Sequence, residues 1–109
     1  MKTLYSFYLD CGRSGKLDGL FIADCTDVNR AIRHNAYAYF GEVLGKHSEV
    51  YCNVDADMFE IKSQDQDFIT KLEELLGTSI SGFNPMEHID PEQFDGEDDE
   101  DEDILQKQE

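Results

Sequence analysis

The stretch that decides the fold is Leu4-Tyr5-Ser6-Phe7-Tyr8-Leu9, followed across Gly12-Arg13-Ser14-Gly15-Lys16 by Leu20-Phe21-Ile22-Ala23. Both runs are short and rich in aromatic and β-branched side chains, and the segment between them has loop chemistry, so the pair reads as an antiparallel hairpin. Downstream, Thr26 and Asp27 supply an N-cap and a first-turn acid. Val28, Ala31 and Ile32 then fall at i, i+3 and i+4, the spacing of a short amphipathic helix of about nine residues. Arg30, Arg33 and His34 lie mostly away from its apolar side.

From Ala36 the apolar period changes to two. Tyr37, Tyr39 and Val43 share one face with Gly41, whereas Ala38, Phe40 and Leu44 share the other, and Gly45-Lys46-His47 supplies a turn. A return strand runs from Glu49 to Val54, with Val50, Cys52 and Val54 alternating against Glu49, Tyr51 and Asn53. A further short strand, Met58 to Lys62, sets Phe59 and Ile61 on a common face, which predicts a three-stranded meander. The best-defined helix runs near Asp65 to Leu76. Phe68, Ile69, Leu72, Leu75 and Leu76 form its stripe, Asp65 and Asp67 favour its N-terminal end, Asp67 can pair with Lys71, and Gly77 provides the stop. Asn84-Pro85 and Asp90-Pro91 each place a capping residue before a proline, so Met86 to Ile89 and Glu92 to Phe94 read as single helical turns. The expected fold is α+β, in the order ββαβββα, a small antiparallel sheet with helices covering one face.

The chain has 109 residues with 25 Asp+Glu against 9 Lys+Arg, a formal net charge of -16. Residues 1–84 hold 13 acids and 8 bases, net -5, while residues 85–109 hold 12 acids and one base, net -11. Eight carboxylates occupy the nine positions from Asp95 to Asp103, broken only by Gly96. Such a block repels itself and has no apolar surface to offset the entropy of ordering. The expected division is therefore an α+β domain over residues 1–94 and a disordered acidic tail over 95–109. No apolar run reaches the ~18 residues of a membrane span, and Met1-Lys2-Thr3-Leu4 does not open a signal peptide, so a cytoplasmic location without membrane attachment is expected. Three cysteines at positions 11, 25 and 52, with no Cys-x-x-Cys, read as reduced thiols.

The candidate chemistry is thin. Gly12-Arg13-Ser14-Gly15-Lys16-Leu17 lacks the four-residue glycine spacing, the Ser or Thr after the lysine and the following helix of a phosphate loop. Cys11, Cys25 and Cys52 with His34, His47 and His88 have ligand and nucleophile chemistry but irregular spacing. Asp55 with Asp57 reads as a turn, and Glu73 with Glu74 as the solvated face of a helix. The acidic run lacks the spaced ligands and sixth-position glycine of a calcium loop. No enzyme, cofactor or metal site is expected.

Charge is the informative feature. Carboxylates along an extended strand repeat at about 3.3 Å, close to the ~3.4 Å rise per nucleotide of one DNA strand, so the run can enter a basic groove built for nucleic acid. The expected partner-binding residues are Asp95, Glu97, Asp98, Asp99, Glu100, Asp101, Glu102 and Asp103, extended by Glu73 and Glu74. The alternative is a module for single-stranded DNA or RNA, with a basic patch of Arg13, Lys16, Arg30, Arg33 and Lys46. There Tyr5, Tyr8, Tyr37, Tyr39 and Tyr51 would stack on bases, with an autoinhibitory or partner-recruiting tail. The net acidity of the body weighs against direct nucleic-acid binding.

Tyr39-Phe40-Gly41-Glu42-Val43-Leu44-Gly45-Lys46-His47-Ser48-Glu49-Val50-Tyr51, with Tyr5-Ser6-Phe7-Tyr8 and Gly12-Arg13-Ser14-Gly15, resembles small acidic accessory proteins of bacteriophages. In size and acidity the chain is also similar to phage DNA-mimic inhibitors of host restriction, CRISPR or repair enzymes. That resemblance implies a non-enzymatic anti-defence protein in the host cytoplasm whose partner is a basic, nucleic-acid-binding host protein. It implies no particular site residue, because such mimics share charge and shape rather than a motif.

Overall fold

The computed structural model describes residues 1–45 and 49–93. It is an α+β fold with a four-stranded antiparallel sheet, two helices and a separate two-stranded sheet. Strands β1 (Lys2–Asp10) and β2 (Lys16–Asp24) form the expected hairpin, paired from Lys2↔Asp24 to Asp10↔Lys16. The hairpin outruns its apolar runs at both ends because the polar residues there continue the same alternation. Its turn closes through Cys11 N–H donating to the Gly15 carbonyl at 2.8 Å and Gly12 N–H donating to the Asp10 carboxylate at 2.8 Å. Gly12 and Gly15 take positive φ values of 64° and 121°, which explains the glycines without any phosphate.

Helix α1 (Cys25–Arg33) follows β2 directly. Its N-cap is Asp24, whose carboxylate accepts from Thr26 N–H at 2.9 Å, and not Thr26 as expected from sequence. Thr26 lies in the first turn because Asp24 offers the stronger, ionised acceptor at the end of the strand. Strands β3 (Tyr37–Gly41) and β4 (Val50–Asn53) pair antiparallel, with Tyr39 opposite Tyr51.

The meander stops there. Strand β5 (Phe59–Ser63) leaves β4 and pairs antiparallel with β1 instead, Phe7 opposite Phe59 and Tyr5 opposite Ile61. A one-turn 3₁₀ segment, Ala56–Met58, capped by Asp55, redirects the chain. The gain is aromatic: the Phe59 ring lies 5.8 Å from Phe7, 6.1 Å from Phe21 and 6.5 Å from Tyr5. Helix α2 (Gln66–Leu76) is capped by Asp65, which accepts from the N–H groups of Asp67 and Phe68, and ends at Gly77 with φ 79°. It is followed by an unexpected strand, β6 (Ser79–Gly82), which pairs with β2, so the sheet order is β5-β1-β2-β6. Ser-Ile-Ser-Gly carries too little apolar character to announce a strand. Its pairing depends on glycine: a Cβ on Gly19 would sit 2.0 Å from the Phe83 carbonyl oxygen, and one on Gly82 2.3 Å from that of Asp18. Single 3₁₀ turns at Pro85–His88 and Pro91–Gln93 follow, each opened by the expected Asn84 or Asp90 before proline.

The helices lie on opposite faces of the large sheet, where one shared face was expected. Tyr5, Phe7, Leu17, Phe21 and Phe59 pack with Val28, Ala31 and Ile32 of α1 and with Ala38, Phe40, Val50 and Val54 of the small sheet. Leu4 and Ile22 pack on the other side with Ile69 of α2, supported by Leu20, Leu72 and Ile80. The signal is in β1 itself: Leu4 and Tyr5 are adjacent and both buried, and adjacent strand residues point to opposite faces. The α2 stripe is correspondingly narrower than its apolar spacing suggests. Ile69 is 1% exposed, whereas Phe68, Leu75 and Leu76 are 48%, 80% and 57% exposed.

Two stability measurements check this arrangement. Ile69→Ala is expected to cost about 2–5 kcal/mol and Leu75→Ala less than ~0.5 kcal/mol in urea denaturation, and equal costs would contradict the helix register. Gly19→Ala is expected to cost more than ~1–3 kcal/mol, because its Cβ meets fixed backbone; an unchanged midpoint would show that β6 does not cross there.

Candidate functional site

The eight expected tail ligands, Asp95 to Asp103 without Gly96, lie outside the described residues, as does Lys46. Glu73 and Glu74 are both described and differ in setting. Glu73 is half-buried, and its two carboxylate oxygens accept from Lys2 Nζ at 2.6 and 2.8 Å, which ties α2 to β1. That ion pair matches its charge locally, so the solvated-face reading holds only for Glu74, which is exposed.

The basic residues sit on separate elements. Arg13 lies in the hairpin turn, and Lys16 begins β2 with its ammonium 5.8 Å above the Tyr8 ring. Arg30 and Arg33 are half-buried in the last turn of α1. The five tyrosines also divide. Tyr5 is core, stacked on Phe21 at 5.4 Å, so it cannot meet a base. Tyr8 shares its strand parity with Leu4 and therefore faces the α2 side.

Tyr37, Tyr39 and Tyr51 are brought together. They project from the outer face of the β3–β4 sheet while Ala38, Phe40 and Val50 fill the core beneath, as the two-residue period predicts. Tyr37, Tyr39 and Tyr51 are 41%, 43% and 59% exposed, and the Tyr37 and Tyr51 rings are 5.9 Å apart at 37°. The Tyr39 hydroxyl donates to the Glu49 carboxylate; this bond chiefly, with the nearby charges of Glu49 and Glu42, holds the phenol above its ordinary pKa. The face is thus both aromatic and acidic.

The far edge of β3 is occupied by the segment that leads into the acidic run. Ala38 forms an isolated antiparallel bridge with Ile89, and His88 Nδ1 lies 3.2 Å from the Tyr39 carbonyl oxygen. The Gln93 side-chain amide then clasps the Tyr37 backbone from both sides, accepting from its N–H at 2.7 Å and donating to its carbonyl at 2.9 Å. Asp95 comes two residues later in the chain. Sequence reasoning missed this juxtaposition, since nothing local relates Gln93 to Tyr37 across 56 positions.

No family model matches the chain, and neither curated proteins nor solved structures yield a match.

The remaining clusters have structural roles. Ser79 donates its hydroxyl to the Glu87 carboxylate and accepts from Asn84 Nδ2 at 3.2 Å, which fastens the Pro85–His88 turn to β6. His88 packs against Phe40 with ring centroids 4.6 Å apart and the planes inclined at 42°. Among the described residues, no group of three or more His, Cys, Asp and Glu side chains could hold a metal ion. All three cysteines are free thiols. Burial, helped by Cys11 and Asp55, pushes the Cys52 thiol up to about 11, and its sulfur lies 4.0 Å from that of Met58. Burial and then Asp10 raise Cys11 as well. Both shifts oppose the thiolate that a nucleophile needs.

Fewer than about one Cys52 side chain in a thousand is therefore ionised near pH ~7.5. Iodoacetamide is expected to alkylate Cys52 at least about tenfold more slowly in the native protein than in urea, as followed by peptide mass mapping. Equal rates would show that the thiol is neither buried nor suppressed.

Proposed function

We propose that this chain is a non-enzymatic accessory protein of the bacteriophage type that binds a basic, nucleic-acid-binding host protein. Its acidic, nucleic-acid-like surface inhibits or modulates that partner. The observation that carries the reading is the Gln93 clasp on Tyr37, which fixes the chain two residues before the eight-carboxylate sequence beside a face where Glu49 accepts from the Tyr39 hydroxyl. Glu49, immediately before β4, and the dense acidic sequence that follows Gln93 carry one sign of charge, which steers a basic surface and raises its association rate. The acidic sequence matches a groove shaped for a phosphate backbone, and the exposed tyrosines of the small sheet supply the large amphipathic contacts that dominate protein interfaces.

The same carboxylates weigh against the nucleic-acid alternative. A base stacked on Tyr39 would carry its phosphates towards Glu49 and Glu42, and Arg13 and Lys16 lie at the hairpin turn rather than on the small sheet.

Anisotropy of labelled single- and double-stranded oligonucleotides tests the choice. No measurable DNA binding is expected at ~150 mM salt, while a basic protein partner or an arginine-rich peptide is bound. That affinity is expected to fall at least about tenfold between ~50 and ~200 mM salt, and to be lost when the eight carboxylates between Asp95 and Asp103 are changed to amides. Micromolar DNA binding that is weakened by Tyr39→Ala would overturn the proposal in favour of a nucleic-acid module.

A further inference from the structure

We propose that the outer face of the β3–β4 sheet is a receptor for an arginine side chain of the basic partner, with the rings of Tyr37, Tyr39 and Tyr51 taking the guanidinium and Glu49 compensating its charge. This rests on the basic-partner reading above and names the folded half of that interface.

Three observations lead there. The three rings sit within one cross-strand neighbourhood: Tyr39 is directly opposite Tyr51, and Tyr37 stands 5.9 Å from Tyr51 with the rings inclined at 37°. An inclined pair of this kind exposes ring faces, and the negative face of a tyrosine attracts a cation placed within about 6 Å of its centre. The rings are held open from beneath, because Ala38, Phe40 and Val50 on the inner side of the same strands are packed into the core. Finally, the charge beside the rings has the sign a cation needs. Glu49 accepts from the Tyr39 hydroxyl, and a carboxylate that accepts one hydrogen bond keeps further lone pairs for a guanidinium.

The fold already contains one contact of this class, Lys16 over Tyr8 at 5.8 Å, on the other side of the large sheet. Arginine suits the tyrosine face better than lysine. Its guanidinium is planar and weakly hydrated, so it stacks on a ring while presenting a fork to a carboxylate. A second copy of this chain fits poorly, since pairing the face with itself would oppose Glu49 to its own copy.

The probe is a fluorescein-labelled nona-arginine peptide, titrated into the full chain at ~150 and ~500 mM salt, with nona-lysine in parallel. Tyr51→Ala and Tyr37→Ala are each expected to weaken nona-arginine binding about two- to five-fold at both salt concentrations. Tyr51→Phe should retain it within about twofold, and nona-lysine should lose less than nona-arginine. Thermal melts accompany each variant, and Tyr51 is the most exposed of the three. In the unmodified protein, nona-arginine should shift the ring resonances of Tyr37, Tyr39 and Tyr51 and leave those of Tyr8 in place, a readout that needs no variant to fold. Unshifted rings, or wild-type affinity in both alanine variants while the amide variant of the acidic run loses binding, would overturn the receptor and leave the charge-based reading standing. The reverse pattern, loss in the tyrosine variants and full binding by the amide variant, would keep the receptor and remove the role of the acidic run. No binding of nona-arginine to the unmodified chain would overturn both, and an oligonucleotide bound through the same tyrosines would overturn the receptor.

Discussion

The fold depends on the aromatic cluster that joins three neighbouring strands. Tyr5 and Phe7 of β1, Phe21 of β2 and Phe59 of β5 contact one another at 5.4 to 6.5 Å between ring centres. Each ring buries a large apolar area, and the inclined and stacked pairs add to it. This cluster is what draws β5 away from β4, its neighbour in sequence, and onto the open edge of β1. Once β5 is there, β3 and β4 have no third strand and must cover the cluster as a separate layer. Phe40 does so directly, stacked on Phe7 at 5.8 Å.

That second layer determines what the surface can present. A two-stranded ribbon on top of a core has one buried and one free side, so alternation alone sends Ala38 and Phe40 inward and Tyr37 and Tyr39 outward. A one-residue slip would invert the set, and the pairing shift between Tyr39 and Gly41, where Gly41 takes φ 80°, accommodates an extra residue beyond the tyrosines without disturbing them. The edge of β3 is covered as well, by the Ile89 bridge and the Gln93 amide, which shields part of an otherwise open ribbon edge. The chemistry of the face follows from this geometry: three exposed phenols on one side of the ribbon, with Glu49 accepting from the Tyr39 hydroxyl.

Much of this was legible in the residues, and the errors have identifiable causes. The hairpin, both helices, the inward and outward residues of β3 and β4, and the proline turns all rest on local patterns, and each is present. Thr26 and Asp24 both carry capping side chains two residues apart, and only the helix start at Cys25 selects Asp24. The strand at Ser79–Gly82 is held by backbone crossing at Gly19 and Gly82, and backbone hydrogen bonding leaves almost no trace in side-chain hydropathy. The apolar stripe of α2 overstated its burial, since Leu75 and Leu76 have the right spacing but extend past the edge of the patch formed by Leu4 and Ile22.

By itself the sequence determined the α+β class, the element types and the separation of charge, with net -11 in its last 25 residues, because these depend on local periodicity and on counting. The tertiary structure alone decided which strands are neighbours, that the two helices flank opposite sides of the sheet, and that Tyr5 is core while Tyr51 is set against Tyr37 and Tyr39. It also placed Gln93 on Tyr37 and Lys2 on Glu73, contacts that span 56 and 71 positions. The physical reason is the range of the forces involved. Propensity and alternation act over a few residues, whereas strand pairing and side-chain burial compare distant segments, and the best partner for an aromatic strand is settled only when every candidate competes for the same core.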